Sequence, residues 1–115
     1  MKFKVQLRMR IYRDESIAVG PGKIALLEAI AEAGSISAAA RQLGMSYRRA
    51  WVLVDETNKA LRAPAVSTAA GGSHGGGAAL TATGEALVRH YRAAENASRL
   101  AAADDVVAMT RLLAE

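Results

Sequence analysis

Arg48 and Arg49 stand between Tyr47 and Trp51, directly after Ser46, and this short run concentrates the chemical capacity of the chain. A guanidinium is permanently charged and carries five donors in a planar fork that matches phosphate oxygens and the O6/N7 edge of guanine. Tyrosine and tryptophan add flat apolar surface with one polar atom each. Such a group suits binding to an anionic, base-bearing partner rather than bond cleavage. The remaining reactive side chains do not suggest catalysis either. Ser35, Ser37 and Ser46 have no histidine in a triad-like setting and stand where helix caps are needed. His74 and His90 are far apart and lack spaced partners, so no metal site is expected. Asp104-Asp105 reads as a helix cap or an exposed acidic pair. There is no cysteine, which removes disulfides, thiol catalysis and thiolate ligands and fits a reducing cytoplasm. The Gly-rich run 71–77 lacks the G-x-x-x-x-G-K-[ST] order of a nucleotide-binding loop. Neither an enzyme activity nor a cofactor is expected.

Two short elements must position the arginines. Ser35-Ile36-Ser37 supplies an N-cap for a helix running through Leu43, which Gly44 closes. Met45 leads to Ser46, the cap of a third helix from Tyr47 to about Arg62, ahead of Pro64. Two helices joined by so short a glycine-containing turn cross steeply, and Ala39 and Ala40 let them approach. Ala50, Leu53, Val54 and Leu61 form the inner stripe of the third helix. Its outer, N-terminal end then presents Tyr47, Arg48 and Trp51, with Arg49 near bases or phosphate. Helix amides and partial positive charge reinforce that end. This geometry admits a helix to the major groove of double-stranded DNA. Arg41, Ser37 and Ser46 are expected on the sugar-phosphate backbone, and so are Ser73 and His74 from the Gly-rich run.

The rest of the chain supplies a scaffold. Phe3, Val5, Leu7, Met9 and Ile11 alternate with polar residues and predict a strand over 3–11. Lys4, Arg8 and Arg10 lie on its cationic face, which fits a solvated edge better than a contact with DNA phosphate. After Val19-Gly20-Pro21-Gly22, Ile24, Leu27, Ile30 and Ala31 mark a first helix that ends at Gly34. Val66–Ala70 and Ala78–Leu80 pair as short strands around the Gly-rich tip. Thr81 caps a last helix through Leu87, Val88 and Tyr91 towards Leu113, with a break allowed at Asp104-Asp105. The fold class is therefore mainly α, of α+β type: a winged helix-turn-helix with an N-terminal strand, a β-hairpin wing and a long C-terminal helix. Residues 1–95 form the DNA-binding unit. Residues 96–115 form a helical extension, rich in alanine and leucine, suited to homodimerisation. The net charge is +4. Residues 1–62 hold 11 Lys/Arg against 6 Asp/Glu, and residues 63–115 hold 4 against 5, so the excess lies in the half with the arginine pair. No apolar run approaches the roughly 18 residues of a membrane span.

The stretch Gly34-Ser35-Ile36-Ser37-Ala38-Ala39-Ala40-Arg41-Gln42-Leu43-Gly44-Met45-Ser46-Tyr47-Arg48-Arg49-Ala50-Trp51 resembles the DNA-binding domain of the molybdate-responsive ModE regulators, and more distantly the LysR-type helix-turn-helix. The likeness extends upstream through Gly22–Ile30 and downstream through the Gly-rich wing and Leu80-Thr81-Ala82-Thr83-Gly84. It implies a sequence-specific, dimeric transcription regulator linked to molybdate metabolism. ModE proteins carry β-rich oxyanion-binding modules with a Ser-Ala-Arg-Asn-Gln stretch, which these residues lack, so no molybdate site is expected in this chain. Two other functions fit the same residues: a winged-helix adaptor that pairs with another regulator, and a small oxyanion-binding protein using the Gly-rich loop.

Overall fold

The apolar residues of the first helix, α1 (Pro21–Ala33), are not confined to one stripe, and this places it at the centre of the molecule. Ile24, Leu26, Leu27, Ala29 and Ile30 are all buried. A helix buried on several sides needs neighbours on several sides. They are α2 (Ile36–Leu43), α3 (Tyr47–Ala60), β4 (Ala78–Leu80) and α4 (Ala82–Leu112). Leu26 and Ala29 face the core where the simple stripe had placed Ala31, which is exposed. The computed structural model describes residues 2–69 and 76–114. Ser73 and His74 lie outside the described residues.

Local signals set the helix ends. Pro21 opens α1, and Gly34 closes it in the left-handed region at φ 78°, its N–H donating to the Ile30 carbonyl at 2.9 Å. Ser35, Ser46 and Thr81 cap α2, α3 and α4, each hydroxyl accepting a first-turn N–H at 3.0–3.1 Å. α3 stops at Ala60, two residues short of Arg62, because Asn58 draws the chain away. Its Oδ1 accepts from the amides of Ala65 (2.8 Å) and Val66 (3.1 Å), and its Nδ2 donates to the Val66 carbonyl (3.3 Å).

The N-terminal strand is present but short and later than its alternation indicates. β1 (Ile11–Arg13) pairs antiparallel with β2 (Ser16–Val19), with a bulge between Ile11 and Tyr12 and Asp14 at φ 55° in the turn. Residues 2–10 form no strand. Alternation supplies a side-chain pattern, but a strand also needs a ladder partner, and β2 is only long enough to pair with 11–13. Met9 still packs on the core, and its carbonyl accepts the Tyr91 hydroxyl at 3.0 Å. A second hairpin joins β3 (Val66–Thr68) to β4 in the register Val66↔Leu80, Ser67↔Ala79, Thr68↔Ala78. It is anchored to the end of α1, where the Ala78 amide donates to the Gly34 carbonyl at 2.9 Å. α4 runs 31 residues without interruption. Asp104 and Asp105 are exposed within it, and solvated aspartates mid-helix cost too little to break it.

Polar cross-ties fix the elements against one another. The Lys23 ammonium, almost enclosed, donates to the Ile17 carbonyl and faces Glu56 Oε2 at 3.4 Å, joining α1, β2 and α3. Arg92 on α4 grips Glu28 on α1 through Nε (3.0 Å) and Nη2 (2.5 Å), and holds Glu95 through Nη1 (2.9 Å). The Glu28 hydrogen bonds hold the Arg92 guanidinium above even its ordinary range. The buried Thr57 hydroxyl donates to the Leu53 carbonyl at 2.7 Å.

Candidate nucleic-acid interface

The turn between α2 and α3 is made by Gly44 in the left-handed region (φ 69°), with its N–H on the Arg41 carbonyl (3.2 Å) and the Met45 N–H on the Ala40 carbonyl (3.0 Å). Ala39, Ala40 and Ala50 are buried, so the two helices meet over side chains of one carbon. Ser46 satisfies the Arg49 amide, and the amides of Tyr47 and Arg48 belong to the first turn, which has no intrahelical acceptors.

The burial stripe orients the rest of α3. Ala50, Leu53, Val54 and Thr57 are buried. At about 100° per residue the opposite direction holds Arg48, Val52, Asp55 and Lys59, and all four are exposed. Arg48 is thus the outermost residue of the first turn. Tyr47 and Trp51 turn to one flank, their rings edge-to-face with centroids 6.3 Å apart at 76°. Trp51 is 38% exposed and Tyr47 54%, so neither belongs to the core. With Ser35 and Ser37 from α2 and Thr68 and Gly77 from the wing, they border an open cavity of about 400 Å³. Arg49 turns to the other flank, where with Glu56 it faces the β1–β2 hairpin.

Of the residues singled out in the sequence, Ser37, Tyr47 and Trp51 are brought together around that cavity. Arg41 is tied to Ser37, its Nη1 donating to the hydroxyl at 3.2 Å across one helical turn. Ser46 serves as a cap. Arg48 and Arg49 diverge to different directions of the helix. Val52, Asp55 and Lys59 went unnoticed, although their spacing from Arg48 places them on its face. Lys59 Nζ lies 2.9 Å from Asp55 Oδ2, and that hydrogen bond, then the carboxylate's attraction, holds the ammonium above the ordinary lysine range.

A short helix crossing a longer one over a glycine turn, with the longer helix exposed and a β-hairpin beside it, defines a winged helix-turn-helix protein. Residues 22–85, more than half of the chain, match the family model described as bacterial regulatory helix-turn-helix protein, lysR family, and the chain belongs to that family. It is 52% identical over 77 residues to the molybdenum-pterin-binding protein MopB of Rhodobacter capsulatus, covering 67% of this chain and 28% of the relative. It is 42% identical over 88 residues to the molybdenum transport protein ModE of Azotobacter vinelandii, covering 76% and 33%. With the DNA-binding transcriptional dual regulator ModE of Escherichia coli K12 the identity is 33% over 118 aligned positions, covering 99% and 44%. The resemblance to ModE-type regulators is borne out, and the chain spans less than half the length of these relatives. Among the described residues no helix is long and apolar enough to cross a membrane.

Proposed function

We propose that the protein is a cytoplasmic, sequence-specific transcription regulator that binds duplex DNA as a homodimer, with α3 in the major groove. One observation carries this reading: the capped N-terminal end of α3 is exposed, with Arg48 at its crest and Tyr47 and Trp51 on one flank. Arg48 reads a base edge, a bidentate arginine–guanine contact being worth about 1–3 kcal/mol of discrimination. Tyr47 and Trp51 pack on sugar or base methyl groups. Arg49 reaches phosphate, while Ser37, Ser46 and Arg41 position the complex on the backbone, with Ser73 and His74 of the wing assigned the same role. Two of the three relatives carry molybdenum in their names, and the controlled genes are proposed to serve molybdenum handling. No catalytic role is proposed.

The dimer is proposed to form through the distal half of α4, residues 96–112. There Leu100, Val107, Met109 and Leu112 are exposed, while residues 5–8 run beside Arg99, Ala103 and Val106 on another side of the helix. Apolar surface of this extent on a small domain is best buried against a second copy.

Titrating fragments selected from the source genome against salt tests the reading. Binding weakens steeply, with a log–log slope of about −0.9 per neutralised phosphate. Arg48→Ala costs about 1–3 kcal/mol on the best fragment and narrows the gap to scrambled sequence. A flat salt response, or no fragment bound, would favour an adaptor that pairs with other proteins.

A further inference from the structure

We infer that the β1–β2 hairpin is a second phosphate-binding arm, gripping duplex DNA on the side of α3 opposite to the β3–β4 wing. This rests on the DNA-binding reading of α3 and extends it to a surface that the helix-turn-helix does not include. The hairpin and the Arg49 flank of α3 enclose one open groove of about 990 Å³, bordered by Arg8, Arg10, Arg13 and Arg49. The acidic residues on the same groove are Asp14, Glu15 and Glu56. Glu56 is engaged with the inward-facing Lys23 ammonium at 3.4 Å, so it offsets that charge rather than the arginines. Arg8 donates to Gln6 Oε1 at 3.1 Å, a neutral partner. Among the described residues, Arg10, Arg13 and Arg49 form no ion pair. The groove therefore keeps a surplus of positive charge on side chains free to turn towards a ligand.

The arm is held in place. Val19 is buried against the core, and the Lys23 ammonium ties the Ile17 carbonyl to Glu56 of α3. Arg13 on the hairpin, and Arg10 directly before it, thus keep a fixed relation to the recognition helix. A major groove about 12 Å wide is bounded by a phosphate strand on each side. The Tyr47–Trp51 flank and the wing face one strand. The Arg49 flank faces the other, and the hairpin is the element that stands there. The ligand chemistry is that of successive backbone phosphates, contacted without regard to base sequence.

The test uses the full chain in two DNA titrations: a random-sequence duplex for the salt dependence, and a selected genomic fragment against its scrambled form for the preference. In Arg10→Ala/Arg13→Ala, the log–log salt slope becomes shallower by about 1.8, two phosphates' worth, while the preference for the selected fragment is retained. Arg10→Lys/Arg13→Lys keeps the wild-type slope. Lys2→Ala/Lys4→Ala, which removes equal charge outside the groove, leaves the slope within a few tenths of wild type. Hydroxyl-radical footprints of the Ala variant lose protection on one flank of the site only. An unchanged slope in the Ala variant overturns the arm, and so does an equal change in the Lys2/Lys4 variant. If the unaltered protein binds no DNA, the α3 reading fails and takes the arm with it. If it binds steeply and Arg48→Ala relaxes its preference while the hairpin variants behave as wild type, the arm alone fails. Thermal melts confirm that each variant is folded; should the Ala pair unfold, the single exposed Arg13→Gln decides, its slope shallower by about 0.9 with the arm and unchanged without it.

Discussion

Asn58 does at one position what a longer turn would otherwise have to do. Its amide makes three hydrogen bonds to the backbone of Ala65 and Val66, half-buried, at the point where α3 gives way to the wing. Removing it leaves two amides and a carbonyl without partners in a region that water enters poorly, at a cost of about 1–3 kcal/mol. Asn58→Ala therefore lowers the melting temperature measurably, whereas Asn58→Asp, which keeps the acceptor for both amides, loses less. Differential scanning calorimetry on the two variants separates the outcomes. None of this is visible in the sequence, where Asn58 is one polar residue near the end of a helix. The caps Ser35, Ser46 and Thr81 were legible because a cap and its amide are three residues apart. Asn58 and Lys23 were not, because their partners lie seven or eight, and six or more, residues away and are set only by the completed fold.

At the scale of elements, the helices were read more closely than the strands. Helical periodicity is self-contained, and it located α1, α2 and α3 to within two residues. A strand exists only with its partner, which is why residues 3–9 alternate faultlessly yet stay unpaired while the less regular Ser16–Val19 pairs with Ile11–Arg13. The proposed recognition face was similarly half-legible. Spacing alone grouped Tyr47, Arg48 and Trp51, but the actual centre of burial, which includes Thr57, rotates the helix so that Arg48 shares its crest with Val52 instead. The junction between the wing and α4 depends on a close approach that no local pattern announces. Gly84 lies under the backbone of Ala65, where a Cβ would overlap the carbonyl, and the Thr81 amide donates to that same carbonyl at 2.9 Å. Alanine is about 1 kcal/mol better than glycine inside a helix. At Gly84 the overlap outweighs that gain, so Gly84→Ala destabilises. At Gly22, which has open space around it, the same exchange is neutral or stabilising. Paired urea melts show the midpoint falling for Gly84→Ala and holding or rising for Gly22→Ala.

The whole molecule is elongated, 58 × 31 × 24 Å, because α4 runs on past the core, where residues 5–8 alone lie beside Arg99, Ala103 and Val106. Tyr91 is buried in the first part of α4, whereas Leu100, Val107 and Met109 beyond it are open to solvent. In the proposed dimer, Leu100→Glu/Val107→Glu places like charges along the seam. Sedimentation then shows a monomer, and affinity for a palindromic fragment falls while a near-unchanged melt reports an intact winged domain. Charge is also arranged at this scale. The cationic residues of the hairpin and of α3 lie in the N-terminal half, and the acidic pair Asp104-Asp105 lies far along α4. The proposed DNA surface and the proposed dimer seam thus differ in charge on one small chain.

The uninterrupted length of α4 has a mechanical consequence. Thirty-one residues make a rod of about 46 Å, engaged with the winged domain at one end and free at the other. A tilt of about 10° at the free end sweeps the opposite end through about 8 Å, more than twice the 3.4 Å rise between successive nucleotides. In the proposed dimer, two such rods joined at their free ends act as a pair of levers. A small adjustment in how they grip each other becomes a change of a base pair or more in the spacing between their recognition helices.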